Sequence, residues 1–141
     1  MKPILIAVTT GIGLLAFSTS LLWYSPYMFG DIWRAGAGAS LATSASWKFA
    51  VAPMREIATA FTMLFVLRRS IPLGTGRTVL LALVLWAGFY GVQLAGAVIW
   101  DNMSAQLGAV HAGDWLVKLV IISLGVSWAM KWSDAAAPRS P

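Results

Sequence analysis

The stretch Trp47-Lys-Phe-Ala-Val-Ala-Pro53-Met-Arg55-Glu56-Ile-Ala-Thr-Ala-Phe-Thr-Met-Leu-Phe-Val-Leu67, running on into Arg68-Arg69, decides how this chain is built. It is apolar or small almost throughout and close to the roughly 20 residues that a bilayer-spanning helix needs. Arg55 and Glu56 nevertheless stand side by side inside it. A charge at bilayer depth costs at least about 2.5 kcal/mol, so such residues are usually paired and often mark a ligand or ion pathway. A helix that begins only at Pro53, a favoured first-turn residue, offers an ordinary alternative. Both charges then fall in its first turn, where Glu56 suits the helix dipole and Arg55 snorkels to the interface.

Outward from that stretch the chain has the composition of an integral membrane protein. Of its 141 residues 59% are hydrophobic and 11% charged, with mean hydropathy +0.77, whereas a soluble domain carries about 25% charged residues. Four spans are expected, at residues 4–24, 47–67, 79–100 and 114–131, in one membrane domain covering residues 1–141. The first is read as a retained span. Its apolar run exceeds the roughly 7–15 residues of a signal-peptide core, and it ends in Trp23-Tyr24 without a small-residue cleavage site. Residues 27–46 read as an outer connection with one interfacial turn near Met28–Arg34, and residues 101–113 as a short polar loop.

Short connections make successive helices antiparallel neighbours, so the expected fold is all-α: an up-down four-helix membrane bundle. Small pairs such as Gly91-x3-Ala95 allow close helix approach. With four spans, Lys2, Arg68, Arg69, Arg77, Lys131 and Arg139 share one side, against Arg34 and Lys48 on the other. This asymmetry puts both termini in the cytoplasm, with the expected location a bacterial inner membrane. It also accounts for the net charge of +5 without nucleic acid. Seven of the eight tryptophans fall near span ends as an interfacial belt, with only Trp86 in mid-span.

Chemistry is sparse. The absence of cysteine excludes disulfides and thiolate ligation. His111, read as lying in the 101–113 loop, cannot build a metal site alone. There is no Glu-x-x-His pair, no phosphate loop and no nucleotide fingerprint, so no metal, cofactor or catalytic set is expected.

Depth counting brings the remaining polar groups together. At about 1.5 Å per helical residue, Glu56 lies roughly 18 Å from Arg68 and Lys118 roughly 20 Å from Lys131. Tyr90 and Gln93 lie about 20–24 Å from Arg77 on the same scale. An outer-half polar pocket lined by Arg55, Glu56, Lys118, Gln93 and Tyr90 is therefore expected, with Glu56–Lys118 as its cross-helix pair. Asp114 has the i,i+4 spacing for an ion pair with Lys118. Arg55, about 100 degrees around the helix from Glu56, is left to receive an anionic ligand, a lipid phosphate or a partner carboxylate.

Two stretches carry a resemblance. Leu22-Trp23-Tyr24-Ser25-Pro26 with Phe29-Gly30 and Trp33 resembles the entry motif of the small bacterial membrane proteins of domain-of-unknown-function family 1761. Trp86-Ala-Gly88-Phe89 with Gln93-Leu94 and Trp100 resembles that family's third-span pattern. The resemblance implies four membrane helices and supplies no activity. Trp23, Tyr24, Ser25, Pro26, Phe29 and Gly30 are the pattern's cap, read mainly as a loop that positions the second span and alternatively as a re-entrant cover over the pocket.

Two functions are expected from the sequence. The first is a non-enzymatic accessory or scaffolding subunit that binds another membrane protein or itself. The second is binding or transport of a small or amphipathic anion through the outer-half pocket. A lipid-acting enzyme is the least supported, for want of a nucleophile or base.

Overall fold

The computed structural model describes residues 2–37, 47–70 and 74–135. Residues 38–46 of the outer connection, Pro72 and Arg139, together with the Lys48 side chain, lie outside the described residues. Five helices form among the described residues, not four: α1 (Pro3–Trp23), α2 (Gly30–Ala37), α3 (Trp47–Arg69), α4 (Thr75–Trp100) and α5 (Ala105–Ala135). The additional helix is α2, two turns where the sequence pointed to one. Three of the five, α1, α4 and α5, are long and apolar enough to cross a membrane. α3 has comparable length, 23 residues, and starts at Trp47 with Pro53 inside it. The late start at Pro53 is therefore not adopted, and Arg55 and Glu56 lie in the third turn.

α1, α3 and α5 share the core. Leu5 and Ala16 meet Ala60, Met63, Leu64 and Leu67 of α3 and Ile122, Val126 and Ala129 of α5. The buried face of α1 is Leu5, Thr9, Gly13, Ala16 and Ser20, spaced by three or four residues as one helix face requires. Apart from Leu5 these side chains are small, and small residues let helix backbones approach. At Gly13 a Cβ would lie 2.7 Å from the Ile57 Cα, so α1 and α3 touch backbone to backbone there. Thr9 Oγ1 on this face is satisfied locally, donating to the Leu5 carbonyl at 2.7 Å. Lys2 Nζ donates to the Ser133 carbonyl at 2.6 Å, which joins the start of α1 to the end of α5.

α4 lies at the edge of that core and reaches it through the partly buried Leu81 and Leu85. It packs along α5 and makes no substantial contact with α3, and only Thr78 and Ala82 bury fully. The assembly is therefore three packed helices with a fourth laid on α5, and a groove separates α3 from α4. Residues Trp86–Gly91 form a π-helical turn in the middle of α4. The Trp86 indole donates to the Ala112 carbonyl at 2.9 Å and fixes that turn to α5.

α5 begins nine residues earlier than the sequence predicted for the fourth span, so residues 105–113 are helix rather than loop. Ser104 Oγ accepts from the Leu107 N–H at 3.2 Å, the bond of an N-terminal cap. Asn102 adopts φ 57°, a left-handed conformation that Asn tolerates at helix ends, and turns α4 into α5 within residues 101–104.

Candidate functional site

One end of the core, where α1 finishes beside the first half of α3, holds a connected set of charges. Lys118 of α5 is fully buried, and its Nζ donates to Glu56 Oε1 of α3 at 2.8 Å and to Asp114 Oδ2 at 2.7 Å. Arg55 approaches the same Glu56 oxygen at 3.0 Å from outside, with its side chain 62% exposed while Glu56 is 0%. The neighbouring residues do diverge around the helix, yet the length of the arginine lets its guanidinium turn back onto Glu56. Glu56 Oε2 is buried and has no hydrogen-bond partner among the described residues.

α1 completes the second carboxylate. Ser20 Oγ donates to Asp114 Oδ1 at 2.9 Å and the Tyr24 hydroxyl to Asp114 Oδ2 at 3.3 Å. Tyr24 also lies 2.7 Å from His111 Nδ1. A hydroxyl has one proton, so both contacts are hydrogen bonds only when His111 carries its proton on Nδ1 and donates to Tyr24. The Tyr24 proton is then left for Asp114, which accepts it. A connected network thus joins His111 through Tyr24 to Asp114, which also accepts from Lys118, while Lys118 donates in turn to Glu56.

This network opens onto a cavity of about 360 Å³ lined by Tyr24, Trp33, Arg55, Tyr90, His111 and Trp115, with Leu94 and Met103. Trp115 is its aromatic floor. The Arg55 guanidinium lies 4.7 Å and Lys118 Nζ 4.6 Å from its ring centroid, and Tyr90 packs on it at 5.2 Å. Such cation–π contacts hold a guanidinium in place without consuming its hydrogen-bond donors.

The pattern residues build the rim. Trp23 and Phe29 rings meet at 4.7 Å, and the Gly30 N–H donates to the Ser25 carbonyl at 2.9 Å. A Cβ on Gly30 would lie 2.6 Å from that carbonyl oxygen, so only glycine fits where the chain folds back. Pro26 is exposed at the apex. Tyr24 and Trp33 then face the cavity with their rings 5.5 Å apart. At Gly36 the Leu107 side chain seats α2 on the start of α5.

Of the predicted pocket residues, Arg55, Glu56, Lys118 and Tyr90 come together. Gln93 does not: it is exposed on the outer face of α4. After the π turn the residue following Tyr90 into the cavity is Leu94, and Gln93 is carried away. His111, Trp115 and Asp114 are more central than their sequence readings. His111 sits half-buried in a helix rather than in a solvated loop, and Trp115 is a wall of the site rather than a belt residue. The Asp114–Lys118 spacing was a usable signal, and His111-x3-Trp115 on the same helix would have been another once α5 was started at Ser104.

No curated protein and no solved structure matches the chain. The family model described as a protein of unknown function (DUF1761) matches residues 6–126. That span contains the Trp23–Gly30 rim, the Arg55–Glu56 pair and Lys118, and the chain belongs to this family.

Proposed function

We propose that this chain is a multi-pass protein of the bacterial inner membrane that binds a small or amphipathic anion at Arg55. In this reading α1, α3, α4 and α5 cross the bilayer up and down, both termini are cytoplasmic, and the cavity opens toward the outer side. The six-to-two distribution of Lys and Arg supports that orientation.

The observation that carries the reading is the buried Glu56–Lys118–Asp114 set lying behind a cavity lined by Arg55, whose guanidinium pairs with Glu56. Well-packed apolar residues often match or exceed a buried ion pair in stability, so stability alone is weak grounds for such a set. Ionisable groups within a membrane are functional by default. The set orients Arg55, whose exposed guanidinium is the group suited to a planar or tetrahedral oxyanion. The reading requires no covalent chemistry and no cofactor.

The test is a tryptophan-fluorescence titration of the full chain in neutral detergent, since Trp33 and Trp115 line the cavity. Inorganic phosphate and octanoate are expected to change the emission, and Arg55→Gln to weaken both by about tenfold or more, the scale of a lost charge-assisted bond. An equal response to tetramethylammonium, or an Arg55→Gln protein that titrates like wild type, would sink the reading.

The accessory-subunit or homo-oligomer reading rests on a different face. Gln93 is an exposed polar group midway along the outer surface of α4, and beside Gly88 and Gly96 a Cβ would meet nothing within 4 Å. Side-chain amides hydrogen-bond across membrane helices, so a second copy or another membrane protein at this face would satisfy Gln93. Gln93→Leu should then shift the chain to a smaller species in size-exclusion chromatography with light scattering; an unchanged mass argues against this role.

A further inference from the structure

The cavity at Arg55 does not end at its aromatic floor. Below Tyr90 and Trp115 a second cavity of about 400 Å³ continues between α3 and α4, and those two side chains line both. Its further walls include Thr59, Thr62 and Val66 of α3, Leu85 and Phe89 of α4, and Leu119 of α5.

The continuity is written in the helix spacing. On α3, Arg55, Thr59, Thr62 and Val66 follow at steps of four, three and four, one face of the helix. On α5, His111, Trp115 and Leu119 follow at steps of four. Each stripe begins polar at the rim and becomes apolar going down. The two threonines do not make the groove polar, because their hydroxyls are turned back onto the Arg55 and Ala58 carbonyls at 2.9 Å. From Arg55 to Val66 the stripe is roughly 16 Å long at helical rise. The groove exists because α4 rests on α5 and leaves α3 uncovered on this side. Phe89, 75% exposed, stands at its open edge.

Resting on the anion reading, we infer that the ligand is a single-chain amphiphile drawn from the surrounding lipid, with its phosphate or carboxylate head at Arg55 and its chain in the groove between α3 and α4. The guanidinium on Trp115 meets the head, and the Tyr90–Trp115 pair marks the boundary between head and chain. A free inorganic anion would use only the upper cavity. A cationic amphiphile would meet Arg55, the wrong charge for its head.

The experiment uses the full chain in a neutral detergent and compares inorganic phosphate, dodecyl phosphate and dodecyl trimethylammonium. Dodecyl phosphate should bind tighter than inorganic phosphate by roughly tenfold or more, through burial of its chain, and dodecyl trimethylammonium should not compete with it. Thr62→Trp, which fills an exposed position of the groove, should abolish the preference for dodecyl phosphate. Leu21→Trp, on the exposed face of α1, serves as the control of equal bulk, and melting temperatures verify that both variants fold. If dodecyl phosphate shows no advantage in wild type, or Thr62→Trp retains it, the groove assignment is overturned while the anion site at Arg55 stands. If neither anion binds, both fall. Effective competition by the cationic amphiphile overturns the assigned head chemistry.

Discussion

Lys118 is the residue on which the site balances. It is fully buried between Glu56 and Asp114, so replacing it with Met would leave two carboxylates in the core with no buried cation. Breaking a buried pair in this way costs about 3–5 kcal/mol, and Lys118→Met is expected to lose stability on that scale in a detergent melt. Adding Glu56→Gln should recover part of it, with a coupling of roughly 0.5–3 kcal/mol in the double-mutant cycle. Strict additivity would mean that the pair does not interact in the folded protein. Arg55 behaves differently because its side chain is mostly exposed. Arg55→Gln should change stability by less than about 1 kcal/mol while reducing anion binding. At this scale much of the site was legible: a charge count along each helix brought Arg55, Glu56 and Lys118 to one level. His111 was not, because Gly108, Gly113 and the alanines around it read as loop, whereas in the fold the Ser104 cap and packing against α1 make them helix.

Among the elements, the α1–α3 crossing has the least tolerance. At Gly13 any side chain would meet the Ile57 backbone, whereas a Cβ at Gly11 would meet nothing within 4 Å. Gly13→Val should therefore cost about 1–3 kcal/mol, as overpacking does. Gly11→Ala should be neutral or slightly stabilising, since alanine is the better helix former. Melting temperatures of the two variants compare them directly, and equal effects would place the crossing elsewhere. Close approach was expected at Gly91-x3-Ala95, but a Cβ on Gly91 would meet only the Trp86 carbonyl of its own helix, and the tight crossing lies at Gly13 instead. The π turn in α4 was not readable, since its pattern departs from an α-helix by a single residue. That one residue decides whether Gln93 or Leu94 follows Tyr90 inward. α2 was read as one turn because its eight residues are too few to show a helical period.

For the molecule as a whole, the lack of cysteine offers a clean test of orientation, since any introduced thiol is the only one. In intact cells a membrane-impermeant thiol reagent should label Ser104→Cys and spare Ser70→Cys, which becomes reactive only after the membrane is opened. Labelling of both from one side would remove the α4 crossing. The helical class and the positions of the long apolar helices were readable from composition. The asymmetric packing was not: four similar apolar segments do not reveal that three supply the buried core while α4 packs mainly on α5 and reaches the core only through Leu81 and Leu85. That asymmetry opens the groove and places it below Arg55. The most direct test of an anion-binding membrane protein is native mass spectrometry of the full chain released from mild detergent, wild type beside Arg55→Gln. Wild type should carry an anionic single-chain amphiphile that Arg55→Gln loses with its fold intact. A wild-type chain with no such adduct, or an adduct that Arg55→Gln keeps unchanged, would overturn the anion site.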